Sequence, residues 1–252
     1  MKHITAFLIL LSLLFTLSAH AEPLTFADDL AGVYTYPEGS SEDDARYIYR
    51  YCYPQIADNS DIALLINTTY QYTADDALGF EVPMQASDVQ EDDPQKIVDV
   101  SYKITWQDED YLSVAIYKQV TSGNELSTVI SGHVFALHGS NAGNIVSLPI
   151  LLGILKADET DEWYKERQTA KADACVRGLV WDRLQEMQSD GTIALYEDLT
   201  YEEFEACFYP EEDFYLDENG NPLFFLLPGS VAPEDAGEFL ITITMEELLD
   251  EI

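Results

Sequence analysis

The stretch IVDVSYKITWQDEDYLSVAIYKQVTSGNELSTVISGHVFAL, Ile97 to Leu137, decides the fold class. Apolar and polar residues alternate along three runs, which predicts half-buried strands at Ile97–Trp106, Tyr111–Val120 and Leu126–Leu137. Polar turns separate them, Gln107-Asp108-Glu109-Asp110 and then Ser122-Gly123-Asn124. Turns this short join neighbours head to tail, so the region reads as an antiparallel meander.

Downstream, Gly139 to Gly143 is a flexible turn before the apolar segment Ile145–Leu155. A long helix is predicted over about 159–188, with Trp163, Ala170, Ala174, Trp181, Leu184 and Met187 as its apolar stripe and Gly191 just past its end. Thr200-x-x-Glu203 is a capping box that opens a short helix through Cys207. Phe214–Leu216 and Leu223–Leu226 bracket Asn219-Gly220, a hairpin signal, and Phe239–Ile243 reads as a last strand. A second capping box, Thr244-x-x-Glu247, starts a terminal helix.

Upstream, Arg46–Tyr53 (RYIYRYCY) alternates and reads as a strand ended by Pro54. Ile62, Leu65, Ile66 and Tyr70 recur at helical spacing, so a helix is predicted over about 58–76 with Asp58 or Asn59 as its cap. Residues 79–95 contain Pro83 and Pro94 and read as a loop. Residues 22–45 read as an acidic, partly ordered lead-in. The expectation is an α+β fold, an antiparallel meander and a hairpin packed with about three to four helices. It divides into a strand-helix-meander module at 46–155 and a helix-hairpin-strand module at 156–252, packed as one unit.

The first 21 residues read as a cleavable signal peptide. Lys2 and His3 give a positive start, Phe7–Leu17 is apolar apart from Ser12 and Thr16, and Ala19-His20-Ala21 has the small-x-small pattern of a cleavage site. The apolar run is shorter than the roughly 20 residues that span a bilayer, which argues against an uncleaved anchor. The chain is therefore expected to be exported, secreted or periplasmic, without stable membrane insertion after cleavage.

The formal net charge is −35. No Lys or Arg follows Arg183, while that stretch holds 19 Asp and Glu. Such a surface repels nucleic acid and anionic lipid and attracts cationic partners. Solubility alone is the bland explanation of the same figure. With 16 tyrosines and 11 phenylalanines the chain is too apolar for disorder.

Export permits a disulfide among Cys52, Cys175 and Cys207. Cys175 and Cys207 both fall in predicted helices of the second module and are the expected pair; three free thiols is the competing expectation. His133 and His138 lie five apart, on opposite faces of a strand, and do not suit a shared metal. Asp217-x-Asn219-x-Asn221 starts like a calcium loop, but Gly220 falls at the fourth place and Pro228 at the twelfth, so it reads as a hairpin turn. No nucleophile elbow or phosphate-binding glycine loop is present, and no catalytic residue, metal or cofactor is expected.

The order LTYEEFEACF, then FYLDENGNPLFFLLPGSVAPEDAGEFLITITMEELLDEI, resembles the extracytoplasmic domain of sigma-V-type anti-sigma factors. Tyr53-Pro54-Gln55 before a helix and VDVSYKITWQDEDYLSVAIYKQV resemble the companion module also found in some peptidoglycan deacetylases. The resemblance covers about residues 46–252 and rests on the ordered combination of segments. It implies an α+β domain that faces outward and binds lysozyme, a strongly cationic enzyme. It also implies a binding surface that includes the loop Pro228-Gly229-Ser230-Val231. The chain departs from that family in three respects: Ser122-Gly123-Asn124-Glu125 occupies a turn that often carries histidine, Gly229 stands where an aromatic commonly follows the loop proline, and no cytoplasmic segment or deacetylase domain is expected. The leading expectation is an exported, non-catalytic binding protein whose acidic surface recognises a cationic protein such as a lysozyme-like enzyme. The alternatives are a cell-wall carbohydrate module that binds peptidoglycan through Tyr47, Tyr49 or Tyr51, and an unrecognised cell-wall hydrolase.

Overall fold

The computed structural model describes residues 24–211 and 213–252; the signal-peptide expectation lies outside them. The meander is present as β3 (Lys96–Gln107), β4 (Tyr111–Ser122) and β5 (Glu125–Ala136), paired antiparallel. Two more strands extend it. β1 (Leu30–Tyr36) pairs antiparallel with β2 (Tyr47–Tyr53), and β2 pairs in parallel with β3. The five-stranded sheet is therefore mixed, in the order β1-β2-β3-β4-β5. β1 corrects the lead-in expectation for 22–45. Its uncharged LAGVYTY core sends Leu30, Tyr34 and Tyr36 against the helix-side core, while the acidic residues around it mask the alternation.

A parallel β2–β3 junction needs a crossover. It is supplied by α1 (Asp61–Asp76), a π turn (Ala77–Glu81) and α2 (Val82–Asp88). Ser60, rather than Asp58 or Asn59, caps α1 by accepting from the Ala63 amide, and Asp58 accepts from the Ser60 amide. Ala63, Ile66, Tyr70 and Ala74 form the buried stripe. The loop expected over 79–95 is half helix. The helix runs on without a break through the π turn, Pro83 falls at the second residue of α2 directly after that turn, and Val82 and Ala86 are buried.

The opposite face of the large sheet carries the second module. α3 (Leu148–Leu151) lies in the apolar segment, followed by α4 (Glu162–Ser189) and α5 (Tyr201–Cys207). β6 (Phe214–Leu216), β7 (Pro222–Leu226) and β8 (Phe239–Thr242) form an antiparallel three-stranded sheet, and α6 (Met245–Glu251) closes the chain. Both capping boxes form, and so does the Asn219-Gly220 hairpin, with Gly220 at φ 77°. The α4 stripe differs from expectation: Gln168, Ala172, Val176, Val180 and Leu184 are buried, and of these the expected stripe contains only Leu184. Trp163 is 66% exposed, with the Arg167 guanidinium 5.2 Å from its ring. Large aromatics are a poor guide to the buried face here, which is built of alanine, valine and leucine with Gln168.

One core cluster joins Val134 and Ala136 of β5 to α3, α4 and the small sheet, so the two modules share buried residues. A polar bridge ties them as well. Ser113 of β4 is fully buried; its Oγ accepts the Leu216 amide at 2.9 Å and the Thr105 hydroxyl at 2.9 Å. Ser113→Ala strands the Leu216 N–H between the sheets. The expected loss is about 2 kcal/mol, read as a lower urea midpoint in a chain that still folds. An unchanged midpoint means this bridge does not hold the sheets together.

Candidate interaction cleft

β7 leaves the small sheet at Leu226 and enters the loop singled out by the sequence. The Ser230 amide and hydroxyl both donate to the Leu227 carbonyl, at 3.1 and 2.6 Å, and Gly229 takes φ 79°. That left-handed conformation favours glycine over the aromatic common in the resembling family. Val231 and Ala232 plug into the core, 0% and 1% exposed. The Tyr196 amide donates to the Val231 carbonyl at 3.0 Å and its hydroxyl to the Gly229 carbonyl at 3.3 Å. The loop is thus pinned at both ends.

The four expected binding residues therefore separate. Pro228 lines a cleft of about 680 Å³. Gly229 is at the tip, and Ser230 lines a smaller recess of about 230 Å³ on the other side. Val231 is buried and anchors the loop, so it offers no contact surface.

The large cleft has a second wall. It comes from the β4–β5 hairpin, through Ser122, Glu125 and Leu126. Two segments about 100 residues apart are brought together because the small sheet packs across β4 and β5. The turn after Pro233 adds Glu234 and Glu238. The cleft thus presents Glu125, Glu234 and Glu238, with Leu126 65% exposed beside them, and no Lys or Arg lines it. The sequence signal for Glu234 and Glu238 is weak, because carboxylates are abundant throughout the C-terminal stretch.

Several basic residues are committed elsewhere. Arg177 of α4 faces Asp173 and Glu205, and Arg183 faces Glu186 and Glu247, the capping glutamate of α6. Arg50 holds Glu42 and Asp99 on the large sheet, and its guanidinium draws the Glu42 carboxyl below its ordinary pKa. Among the described residues none of the three cleft glutamates makes an ion pair with a basic residue. Arg177 and Arg183 tie α4 to α5 and α6, and no basic residue lines the cleft.

Cys52, Cys175 and Cys207 are all free, so the expected Cys175–Cys207 pair does not form. The two thiols face different surroundings: Cys207 donates to the Phe204 carbonyl at 3.3 Å, whereas Cys175 sits near Lys171 and Glu251. Burial raises the pKa of all three, Cys52 to about 11, which keeps them protonated and unreactive. His133 contacts the Tyr70 hydroxyl, and His138 pairs with Asp110. Among the described residues no three His, Cys, Asp or Glu converge as a metal cluster, and no helix is long and apolar enough to cross a membrane. Tyr47 and Tyr49 are 1% and 2% exposed, which removes them as an open stacking platform.

No protein-family model matches the chain, and no curated protein does. Solved structures share its fold, among them two of one family. A DUF3298 family protein from Pseudomonas aeruginosa PAO1 superposes with a TM-score of 0.53 at 12% identity, over 90% of this chain and 93% of that one. A member of the same family from Bacteroides fragilis superposes with a TM-score of 0.50 at 15% identity, over 88% and 91%. At these identities the likeness establishes the α+β architecture alone.

Proposed function

We propose that this chain is an exported, non-catalytic binding protein whose acidic cleft takes a cationic protein, with lysozyme-like enzymes first. The observation that carries this reading is the set of carboxylates without a basic partner, Glu125, Glu234 and Glu238, held around a pinned loop. A loop fixed before binding costs little order on association. Carboxylates of this kind are desolvated at a gain only when a Lys or Arg arrives. A cleft of about 680 Å³ accepts one or two projecting basic side chains, not a whole protein face. The remainder of a standard interface, about 800 Å² per partner, would come from Leu126 and the hairpin around it.

The test is surface plasmon resonance with lysozyme as the analyte. Binding is expected at about 50 mM salt, with an on-rate that falls at least roughly tenfold by about 500 mM. The triple variant Glu125→Gln, Glu234→Gln, Glu238→Gln is expected to lose about tenfold in affinity with an unchanged melting temperature. No binding at low salt overturns lysozyme as the partner. Binding that ignores the triple variant overturns the cleft as the site.

A further inference from the structure

On the other face of the large sheet lies a second cavity, of about 490 Å³. It opens between the end of α1 with its π turn and the exposed faces of β4 and β5. π turns are rare and concentrate at functional sites. Here the turn carries Glu81 to Lys118 of β4, with which it forms an ion pair. That pair neutralises the one cation lining the cavity, so an anionic ligand finds no free positive charge.

What remains is a mixture of aromatic surface and hydroxyl-type partners. Tyr72 stands at the mouth, 71% exposed, on a helix whose other tyrosine, Tyr70, is buried. Tyr49 and Tyr53 line the inner end. His133 lies among them, its Nδ1 3.4 Å from the Tyr70 hydroxyl, and its second ring nitrogen has no hydrogen-bond partner among the described residues. A neutral imidazole is a donor at one nitrogen and an acceptor at the other, so the free nitrogen takes one role or the other with the tautomer. A ligand hydroxyl can answer either role, and Ser131 on the same strand adds another hydroxyl. An aromatic wall beside such groups matches a pyranose ring, which has one apolar C–H face and a polar edge.

We propose that this cavity binds a neutral hexopyranose, with Tyr72 against the C–H face of the ring and His133 and Ser131 on its hydroxyls. The site is separate from the acidic cleft and shares no residue with it. The fit of a hydroxyl-rich ring also makes glucuronate, its anionic analogue, a poor ligand beside Asp76 and Glu81.

The experiment is saturation-transfer NMR on the whole protein with glucose, N-acetylglucosamine and glucuronate, each at about 10 mM, ample for a Kd near 1 mM. Transfer to the ring protons of at least one neutral sugar is expected, with at least fivefold less to glucuronate. Ser131→Trp, on an exposed strand position that tolerates an aromatic, fills the cavity and should abolish transfer while the melting temperature holds. Tyr72→Ala, at an exposed position, should weaken transfer at least threefold. No transfer to either neutral sugar overturns the proposal, and so does transfer that survives both variants. The triple glutamate variant of the acidic cleft should leave sugar binding unchanged, so the two sites fail independently.

Discussion

Gly132→Ala is expected to destabilise the protein by at least about 3 kcal/mol, a melting-temperature drop of roughly 6–12 °C. A Cβ at this position would lie 1.6 Å from the Phe214 carbonyl oxygen and 2.5 Å from its carbon. Those are backbone atoms and cannot swing aside. Gly132 sits opposite Ala115 in the β4–β5 register, and the two small residues form the floor on which β6 rests. Ile130, Tyr215 and Phe225 complete this patch, with Tyr215 stacked on Phe225 at 6.1 Å. The alanine therefore has to push the whole small sheet away, losing the Ser113 bridge and the packing beneath it. A strand glycine of this kind marks close backbone approach. Gly178 is the internal comparison. It lies within α4, and no other element comes within 4 Å of where its Cβ would stand, so Gly178→Ala should stabilise by about 0.5–1 kcal/mol through helix propensity. Thermal and urea unfolding followed by circular dichroism measure both. Equal stability of Gly132→Ala and the parent chain means that β6 does not rest on β5 as described. The same displacement moves the Pro228 loop relative to the β4–β5 hairpin, so Gly132→Ala should also weaken any partner held in the acidic cleft.

The two glycines mark what local sequence can and cannot convey. The meander is legible because alternation and short polar turns act between neighbours in the chain. Both capping boxes and the Asn219-Gly220 hairpin are legible for the same reason: each is closed by hydrogen bonds within a few residues. The parallel β2–β3 pairing is not, since it joins residues about 50 apart across a crossover that contains Pro83. The α4 stripe repeats every fourth residue from Gln168 to Leu184, but its small and polar members are outweighed by the exposed aromatics when residue size guides the choice of face. The Pro228 loop and the Ser122–Glu125 turn are both reached by resemblance, whereas their meeting in one cleft and the glutamates Glu234 and Glu238 emerge only when the two sheets stack. The cavity around His133 is invisible in the sequence for the same reason, because its walls come from α1, the π turn and four strands.

His133 should make the protein acid-sensitive well above the range in which its carboxylates titrate. Burial lowers the pKa of this imidazole from its ordinary 6.5 to about 4, so the folded chain keeps it neutral at pH values where the unfolded chain protonates it. Stability rises with pH wherever the unfolded state binds more protons. The contribution is therefore intact above about pH 6.5 and is lost progressively as pH falls toward 4. The linked loss is about 2 kcal/mol at pH 5 and about 3 kcal/mol at pH 4. Around the imidazole, Tyr53 and Tyr70 hold raised pKa values and do not ionise in this window. The capping glutamates, Glu203 and Glu247, have lowered pKa values; their stabilising effect persists above the usual carboxylate range and is lost only as pH falls below it. His133→Gln isolates the effect, because an amide can still meet the Tyr70 hydroxyl but takes up no proton. Urea unfolding at pH 7 and pH 5 should show the parent chain losing about 2 kcal/mol more than the variant. Equal losses would mean that His133 is protonated freely in the folded protein. That outcome would place it in open water and not against Tyr70 and Phe135, and it would remove the neutral imidazole on which hydroxyl recognition in the cavity depends.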